Sequence, residues 1–120
     1  RQCQLRSEPL GVVLIHGNAQ YLPFADDSFD GLFHFGGINL FNDPEKAINE
    51  FVRVVKKDGI VSWGDEGFSK QYSNSFRRKV LGKINPGFLK PRHEIPETLY
   101  EIKEYEVYNG FAYLVTGKKK

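Results

Sequence analysis

Residues 17–30 have the sequence GNAQYLPFADDSFD, and this stretch decides the fold. It follows a short apolar run at residues 12–15 and leads into a second one at residues 31–35. Both runs are rich in β-branched or aromatic residues, which predicts two buried strands joined through a turn at residues 26–28. Small and polar residues at a strand end, followed by apolar residues and an acidic turn, indicate one half of a nucleotide-cofactor pocket.

A helix is predicted after the second strand. Asp43 can accept a hydrogen bond from the first turn, and Pro44 suits the first helical position. Apolar residues then recur at steps of three and four, which gives one apolar stripe: Ala47, Ile48, Phe51, Val52 and Val55. Gly59 is expected to end the helix, and residues 60–63 are predicted to form the next strand. Strand, helix and strand with short links make a parallel crossover unit.

The last part of the chain has a different pattern. Apolar residues alternate on either side of Asn109 and Gly110, and this pair predicts a hairpin. Helices are expected over residues 1–8 and 68–81, an ordered loop over 82–98, and a solvated tail at 118–120. The fold class predicted is α/β: a partial doubly wound, Rossmann-like parallel sheet that ends in an antiparallel hairpin, all in a single domain.

Composition excludes several classes of function. The net charge of +2 is too small to argue for a nucleic-acid partner. No apolar run approaches the ~20 residues that a membrane span needs. A lone cysteine, Cys3, excludes an internal disulfide framework and any site built from several thiolates. His16, His34 and His93 are too scattered to suggest a metal site. A cytoplasmic protein with no metal, membrane or nucleic-acid partner is expected.

Ligands in an open α/β sheet bind beyond the carboxyl ends of its strands. At the first end, the amide of Asn18 can donate to and accept from a purine edge, and the small Ala19 lets a ring approach. At the second, the glycine pair at 36–37 permits a close approach to the backbone. At the third, Asp65 and Glu66 either orient a polar substrate group or lie in a solvated loop.

The order of these features resembles class I S-adenosylmethionine-dependent methyltransferases, in the branch that includes the enzymes of ubiquinone and menaquinone biosynthesis. The shared motifs are Leu-Pro-Phe at 22–24, Ser-Phe-Asp at 28–30, the Asp-Pro start of the helix and Arg-Val-x-Lys at 53–56. The resemblance implies S-adenosylmethionine as cofactor. It also implies residue roles, with Asn18 and Ala19 at the adenine, and His34, Phe35 and Gly36 along the methionine end. Asp65 and Glu66 are the candidate substrate-binding residues, and no catalytic residue is assigned.

The glycine-rich first motif of that family does not occur in these 120 residues. The chain is therefore interpreted as the C-terminal part of an enzyme that methylates a small-molecule acceptor, and it is expected to be inactive alone. The alternative is a non-catalytic methyltransferase-like module that forms a homo-oligomer through an exposed sheet edge. The family places its first two strands between the third and the fourth, so residues 12–15 would lack a neighbour and residues 31–35 would have a bare edge. Either two copies pair these edges, or residues 12–15 move into the vacancy.

Overall fold

The computed structural model describes residues 11–67 and 93–120. The helices and strands are, in chain order, β1 (Phe29–Phe35), α1 (Pro44–Val54), β2 (Val55–Glu66), β3 (Leu99–Val107) and β4 (Ala112–Lys119). Short 3-10 turns, Ile38–Leu40 and Tyr108–Gly110, follow β1 and β3. The helices expected over residues 1–8 and 68–81, and most of the loop expected over 82–98, lie outside the described residues.

The four strands form one sheet in the order β1-β2-β4-β3. Strands β1 and β2 are parallel and are connected by α1, whereas β4 is antiparallel to both of its neighbours. The parallel crossover and the antiparallel hairpin predicted from the sequence are therefore confirmed. In the hairpin turn, Asn109 and Gly110 have φ angles of 55° and 87°, the left-handed region that this residue pair favours.

Helix α1 begins as the sequence predicts but ends earlier. Asp43 Oδ1 accepts a hydrogen bond from the backbone N–H of Lys46 at 3.0 Å, which caps the first turn. The helix stops at Val54, not at Gly59, and β2 begins at the next residue. Gly59 lies inside β2, where an added Cβ would be 2.7 Å from the carbonyl oxygen of Asp30 in β1. The glycine is therefore needed for strand packing rather than to end a helix.

The core lies between α1 and one face of the sheet. Its buried side chains on the helix and strands are Ala47, Ile48, Phe51, Val52, Val54, Val55, Val61, Trp63, Leu99, Tyr113 and Val115. The opposite face is open in the described chain, where Phe33 is 69% exposed. The prediction that β1 is buried on both faces is therefore wrong, because in the described ranges α1 covers only one side of the sheet. No helix in the described ranges is long and apolar enough to cross a membrane.

Residues 12–15 form no strand in the structure, and their side chains are exposed, Val13 by 81%. The prediction of a buried strand is wrong here because β-branched residues favour a strand only where a neighbour offers packing and hydrogen bonds. Within residues 11–67 and 93–120, β1 pairs with β2 alone, so its outer edge is bare as expected. The run at 12–15 does not fill that vacancy, and pairing between two copies stays a prediction.

Residues 118–120 are not a solvated tail, because β4 extends through Lys119. The ammonium of Lys119, with its side chain only 19% exposed, donates to the carbonyl oxygens of Val55 at 2.9 Å and Arg53 at 3.2 Å. It also contacts the carboxylate of Asp27 at 2.6 Å. The last carbonyls of a helix lack partners within the helix and attract a cation. Lys119 therefore closes the C-terminal end of α1.

Candidate functional site

A cavity of about 280 Å³ lies at the carboxyl ends of β1 and β2, where ligands bind in open α/β sheets. Its lining residues come from these two strand ends and the 3-10 turn between them: Phe35, Gly36, Gly37, Asn39, Leu40, Asp65 and Glu66. The structure thus brings together Phe35, Gly36, Asp65 and Glu66 of the predicted site residues. Sequence reasoning assigned no role to Asn39 and Leu40, which complete the wall.

The floor of this cavity contains two glycines with left-handed backbone. Gly36 and Gly37 have φ angles of 84° and 81°, which other L-residues adopt only with strain. A Cβ added at either position would have no neighbour within 4 Å. The backbone at these two residues therefore faces open space, and a ligand can approach it closely.

Asp65 holds this floor in place. Its side chain is buried, with the residue 4% exposed, and accepts hydrogen bonds from the backbone N–H groups of Asn39 at 2.8 Å and Gly37 at 3.2 Å. Hydrogen bonds to an ionised carboxylate are stronger than neutral ones and compensate its burial. The solvated-loop alternative is therefore wrong for Asp65. Glu66 next to it is exposed at the cavity rim, and a substrate contact of either residue stays a prediction.

Asn39 links the floor to the segment that enters β3. Its buried side chain donates through Nδ2 to the carbonyl oxygen of Glu66 at 3.1 Å, and its Oδ1 lies 3.0 Å from His93 Nε2. An amide oxygen only accepts, so this bond requires the proton of His93 on Nε2. The sequence signal for Asn39 was weak: one polar residue in the otherwise apolar turn Ile38–Leu40.

His34 points into the core rather than lining the cavity. Its ring centroid lies 5.2 Å from that of Phe51 and 5.6 Å from that of Phe41, and its buried Nε2 has no hydrogen-bond partner among the described residues. Burial lowers the pKa of His34 below its ordinary value of 6.5, and this effect outweighs the opposing influence of Asp65 and the hydrogen bond with the backbone of Gly36. The predicted contact of His34 with the methionine end of a cofactor stays a prediction.

Asn18 and Ala19 do not line this cavity. Asn18 Oδ1 accepts a hydrogen bond from the backbone N–H of Gln20 at 2.9 Å, which closes a local turn. Ala19 is half-buried and packs against the core. Their predicted role at the adenine therefore concerns a second region, which the structure places away from the lining of the cavity.

Residues 18–26, which we call the docked segment, lie along one side of α1. The helix residues that contact this segment recur at steps of three and four: Asp43, Lys46, Glu50 and Arg53. Gln20 Oε1 accepts the backbone N–H of Asp43 at 2.7 Å, and the ring centroid of Tyr21 lies 3.8 Å from Lys46 Nζ. The helix thus has an apolar side for the sheet and a polar side for this segment.

Arg53 anchors the far end of the docked segment. Its Nη1 donates to the carbonyl oxygen of Phe24 at 2.8 Å and to Asp26 at 2.7 Å, and its Nη2 donates to the carbonyl oxygen of Leu22 at 3.1 Å. Its Nε donates to Glu50 Oε1 at 2.6 Å. The hydrogen bonds from Arg53 are the main cause that lowers the pKa of Glu50, and the same bonds raise the pKa of Arg53.

The sequence pattern of the methyltransferase domain family matches residues 1–63, which is more than half of the chain. The chain belongs to the class I S-adenosylmethionine-dependent methyltransferases. The resemblance inferred from the motifs at 17–61 is therefore confirmed.

Two curated methyltransferases show what share of a relative's length this chain covers. Demethylmenaquinone methyltransferase of Desulfitobacterium hafniense is 36% identical over 110 residues, covering 84% of this chain and 44% of that protein. The enzyme of the same name from Bacillus velezensis is 50% identical over 52 residues, covering 42% of this chain and 22% of its own. The chain thus spans less than half the length of these relatives.

A solved methyltransferase structure shows the fold. The S-adenosylmethionine-dependent methyltransferase from Thermotoga maritima superposes with a TM-score of 0.67 at 24% identity, covering 99% of this chain and 69% of that one. The mixed four-stranded sheet with its helix is part of a Rossmann-like methyltransferase fold, as the sequence predicts. In the described ranges, no three His, Cys, Asp or Glu residues are grouped so as to hold a metal ion.

Proposed function

We propose that this chain is the C-terminal part of an enzyme that transfers a methyl group from S-adenosylmethionine to a small-molecule acceptor. The observation that carries the proposal is the cavity at the ends of β1 and β2, whose floor is bare backbone at Gly36 and Gly37. The names of the demethylmenaquinone methyltransferases support a small-molecule acceptor. The family supplies the cofactor class.

The residues present fit the methionine end of the cofactor and the adenine edge at its other end. Bare glycine backbone beside the ring of Phe35 suits the methionine portion, because no Cβ blocks the approach. The amide of Asn18 suits the adenine edge. None of these residues is assigned to the ribose hydroxyls, so in this proposal the chain alone binds cofactor weakly.

The bound cofactor would supply an electrophilic methyl group, and the residues of the chain would position the reactants and exclude water. In this proposal Asp65 keeps the Gly37–Asn39 backbone in place through its two hydrogen bonds. Phe35 and the 82% exposed Leu40 form an apolar wall. Glu66 at the rim orients a polar group of the acceptor.

The test is a titration of the chain with S-adenosylhomocysteine, the demethylated product, followed by calorimetry and by amide chemical shifts. We expect a dissociation constant of about 1 mM, equivalent to about −4 kcal/mol, with shift changes centred on Gly36 and Gly37. Gly37→Ala should weaken binding because its methyl group would occupy the floor. Gly11→Ala is the matched control, since Gly11 has a φ of 66° and equal free space but does not line the cavity.

Two results would contradict the proposal. One is the absence of shift changes at the cavity with several millimolar ligand, about five times the expected dissociation constant. The other is equal binding by Gly37→Ala and Gly11→Ala, which would place any bound ligand elsewhere.

A second candidate function, a non-catalytic association module, is favoured by the exposed ring of Phe33 and by the outer edge of β1, which has no partner strand within residues 11–67 and 93–120. Such an edge with an apolar face invites pairing with another copy. Light scattering after size exclusion separates the two functions. A stable dimer that Phe33→Lys converts to a monomer supports the association module, whereas a monomer at all concentrations argues against it.

A further inference from the structure

We propose that Glu50 and Arg53 are positioning residues that fix the adenine side of the cofactor site. The inference rests on the proposed function, because Asn18 and Ala19 are its adenine contacts. Neither Glu50 nor Arg53 lines the cavity at the strand ends. Their effect on the cofactor is therefore exerted through the docked segment.

The two side chains hold both polar groups of a single residue. The backbone N–H of Leu22 donates to Glu50 Oε2 at 2.7 Å, and its carbonyl oxygen accepts from Arg53 Nη2 at 3.1 Å. Glu50 and Arg53 are three residues apart on α1, and Nη2 is also 2.9 Å from Glu50 Oε2. The carboxylate and the guanidinium thus orient each other and present one donor and one acceptor to Leu22.

Arg53 forms hydrogen bonds with every second residue of the docked segment, at Leu22, Phe24 and Asp26. Arg53 Nη1 donates to the carbonyl oxygen of Phe24 and to the side chain of Asp26. The side chains of Leu22 and Phe24 pack against the core, while their carbonyl oxygens are held by Arg53 from the helix. The segment is therefore fixed through both its side chains and its backbone.

This anchoring reaches Asn18 through a short path. The backbone N–H of Tyr21, next to Leu22, donates to the carbonyl oxygen of Asn18 at 2.9 Å. Gln20, inside this turn, accepts a hydrogen bond from the backbone N–H of Asp43 at the start of α1. If the pair at 50 and 53 is lost, Leu22 is released, and the turn keeps only the Gln20 bond to Asp43 and the Tyr21 contact with Lys46 as restraints from the helix.

A lysine cannot replace Arg53 in this role. The guanidinium is a planar fork with five N–H donors, and here its three nitrogens serve Leu22, Phe24, Asp26 and Glu50. A lysine ammonium keeps the charge but cannot span these acceptors in one geometry. Loss of the fork should therefore loosen the segment even when the charge is retained.

The test compares Arg53→Lys, Glu50→Ala and Glu50→Gln by amide hydrogen exchange and by titration with S-adenosylhomocysteine. In Arg53→Lys and Glu50→Ala we expect the amide of Leu22 to exchange about tenfold faster, while the amide of Phe51 inside α1 keeps its rate. The dissociation constant should rise about tenfold. Glu50→Gln keeps an acceptor for Leu22 and should recover most of both effects.

Lys56→Gln is the matched control, because it removes an exposed ion pair with Asp30 close to the same end of the helix. It should change neither exchange at Leu22 nor affinity. Circular dichroism verifies that each variant folds. If Arg53→Lys does not fold, the comparison of Glu50→Ala with Glu50→Gln still decides the test.

The proposed function and the positioning role of Glu50 and Arg53 are contradicted by different measurements. No binding by the parent chain argues against the proposed function. Unchanged exchange at Leu22 in both Arg53→Lys and Glu50→Ala overturns the anchoring. Faster exchange with unchanged affinity for the product overturns the positioning role.

Discussion

The ring of Phe35 occupies the space that a side chain on Gly64 would need. The two residues are partners in the parallel register of β1 and β2, and a Cβ added to Gly64 would be 2.9 Å from the Phe35 ring. The same Cβ would also collide with the carbonyl oxygen of Tyr113 in β4. Gly64 thus lets Phe35 lean over β2 and form one wall of the cavity.

Gly64→Ala should destabilise the fold by about 1–3 kcal/mol, since Phe35 and the backbone of β4 would both have to move. Urea unfolding measures the change. Gly67→Ala is the control, because its Cβ would be 3.5 Å from the ring of Tyr113, an ordinary contact. Equal stability of the two variants would contradict the close packing at Gly64.

Lys119→Met should lower the free energy of unfolding by about 0.3–1 kcal/mol, the usual worth of a cation at a helix C-terminus. The carbonyl oxygens of Arg53 and Val55 would lose their shared donor. Thermal unfolding at low salt measures the effect. Lys120→Met removes an exposed charge one residue further on and should be neutral. A neutral Lys119→Met would mean that the ammonium does not close the helix.

Asp65→Asn should loosen the cavity floor. An asparagine keeps one carbonyl oxygen, so of the two N–H groups at Gly37 and Asn39 one is left facing an amide donor. A buried donor without its acceptor costs about 1–3 kcal/mol, which corresponds to roughly 5- to 150-fold faster exchange at whichever of the two amides loses its acceptor. Glu66→Gln at the exposed rim is the control and should leave both rates unchanged. Protection that survives Asp65→Asn would contradict the role of the carboxylate.

Stability should fall on mild acidification because of His34. Burial lowers the pKa of His34 in the folded chain below its ordinary value of 6.5, so the unfolded chain binds a proton that the folded chain does not. The stabilising contribution of neutral His34 is therefore complete above about pH 6.5, and it is lost progressively as the pH falls toward the folded pKa of His34. Melting temperatures measured at a series of pH values from above 6.5 downward give the slope.

The matched variants for this slope are His34→Phe and His16→Gln. His34→Phe should flatten the slope, while His16→Gln, at an exposed position, should retain it. Glu50 acts in a lower window: Arg53 lowers its pKa from 4.5, so its stabilising contribution is lost as the pH falls through that lowered value. An unchanged slope in His34→Phe would contradict the assignment.

The parts of the fold that depend on neighbouring residues could be predicted from the sequence. Asp43 and Pro44 favour a helix start through local hydrogen bonding and backbone geometry, and Asn109 with Gly110 favours a hairpin turn by backbone preference. The apolar stripe of α1 faces the core because helical periodicity is a local property. Phe35 and Gly36 reach the cavity for a similar reason, since they end a parallel strand.

The parts that depend on distant partners could not be predicted. The sequence left open whether Asp65 contacts substrate or lies in a solvated loop, because its acceptor role is defined by Gly37 and Asn39, which are 28 and 26 residues away. Lys119 resembled a solvated charge because only the long-range pairing of β4 with β2 brings it to α1. The run at 12–15 has the composition of a strand, yet composition supplies no partner for its hydrogen bonds.

The sheet order has a consequence for synthesis on the ribosome. Strand β4 is made after β3 but lies between β2 and β3, so β2 keeps an unsatisfied edge while the ribosome translates residues 67–111. The end of α1 lacks the ammonium of Lys119 over the same interval. A nascent chain paused after β3 would present one open edge of β2 and the unpaired strand β3, and would be prone to aggregate. Codon speed across the hairpin should therefore influence soluble yield more than codon speed within α1.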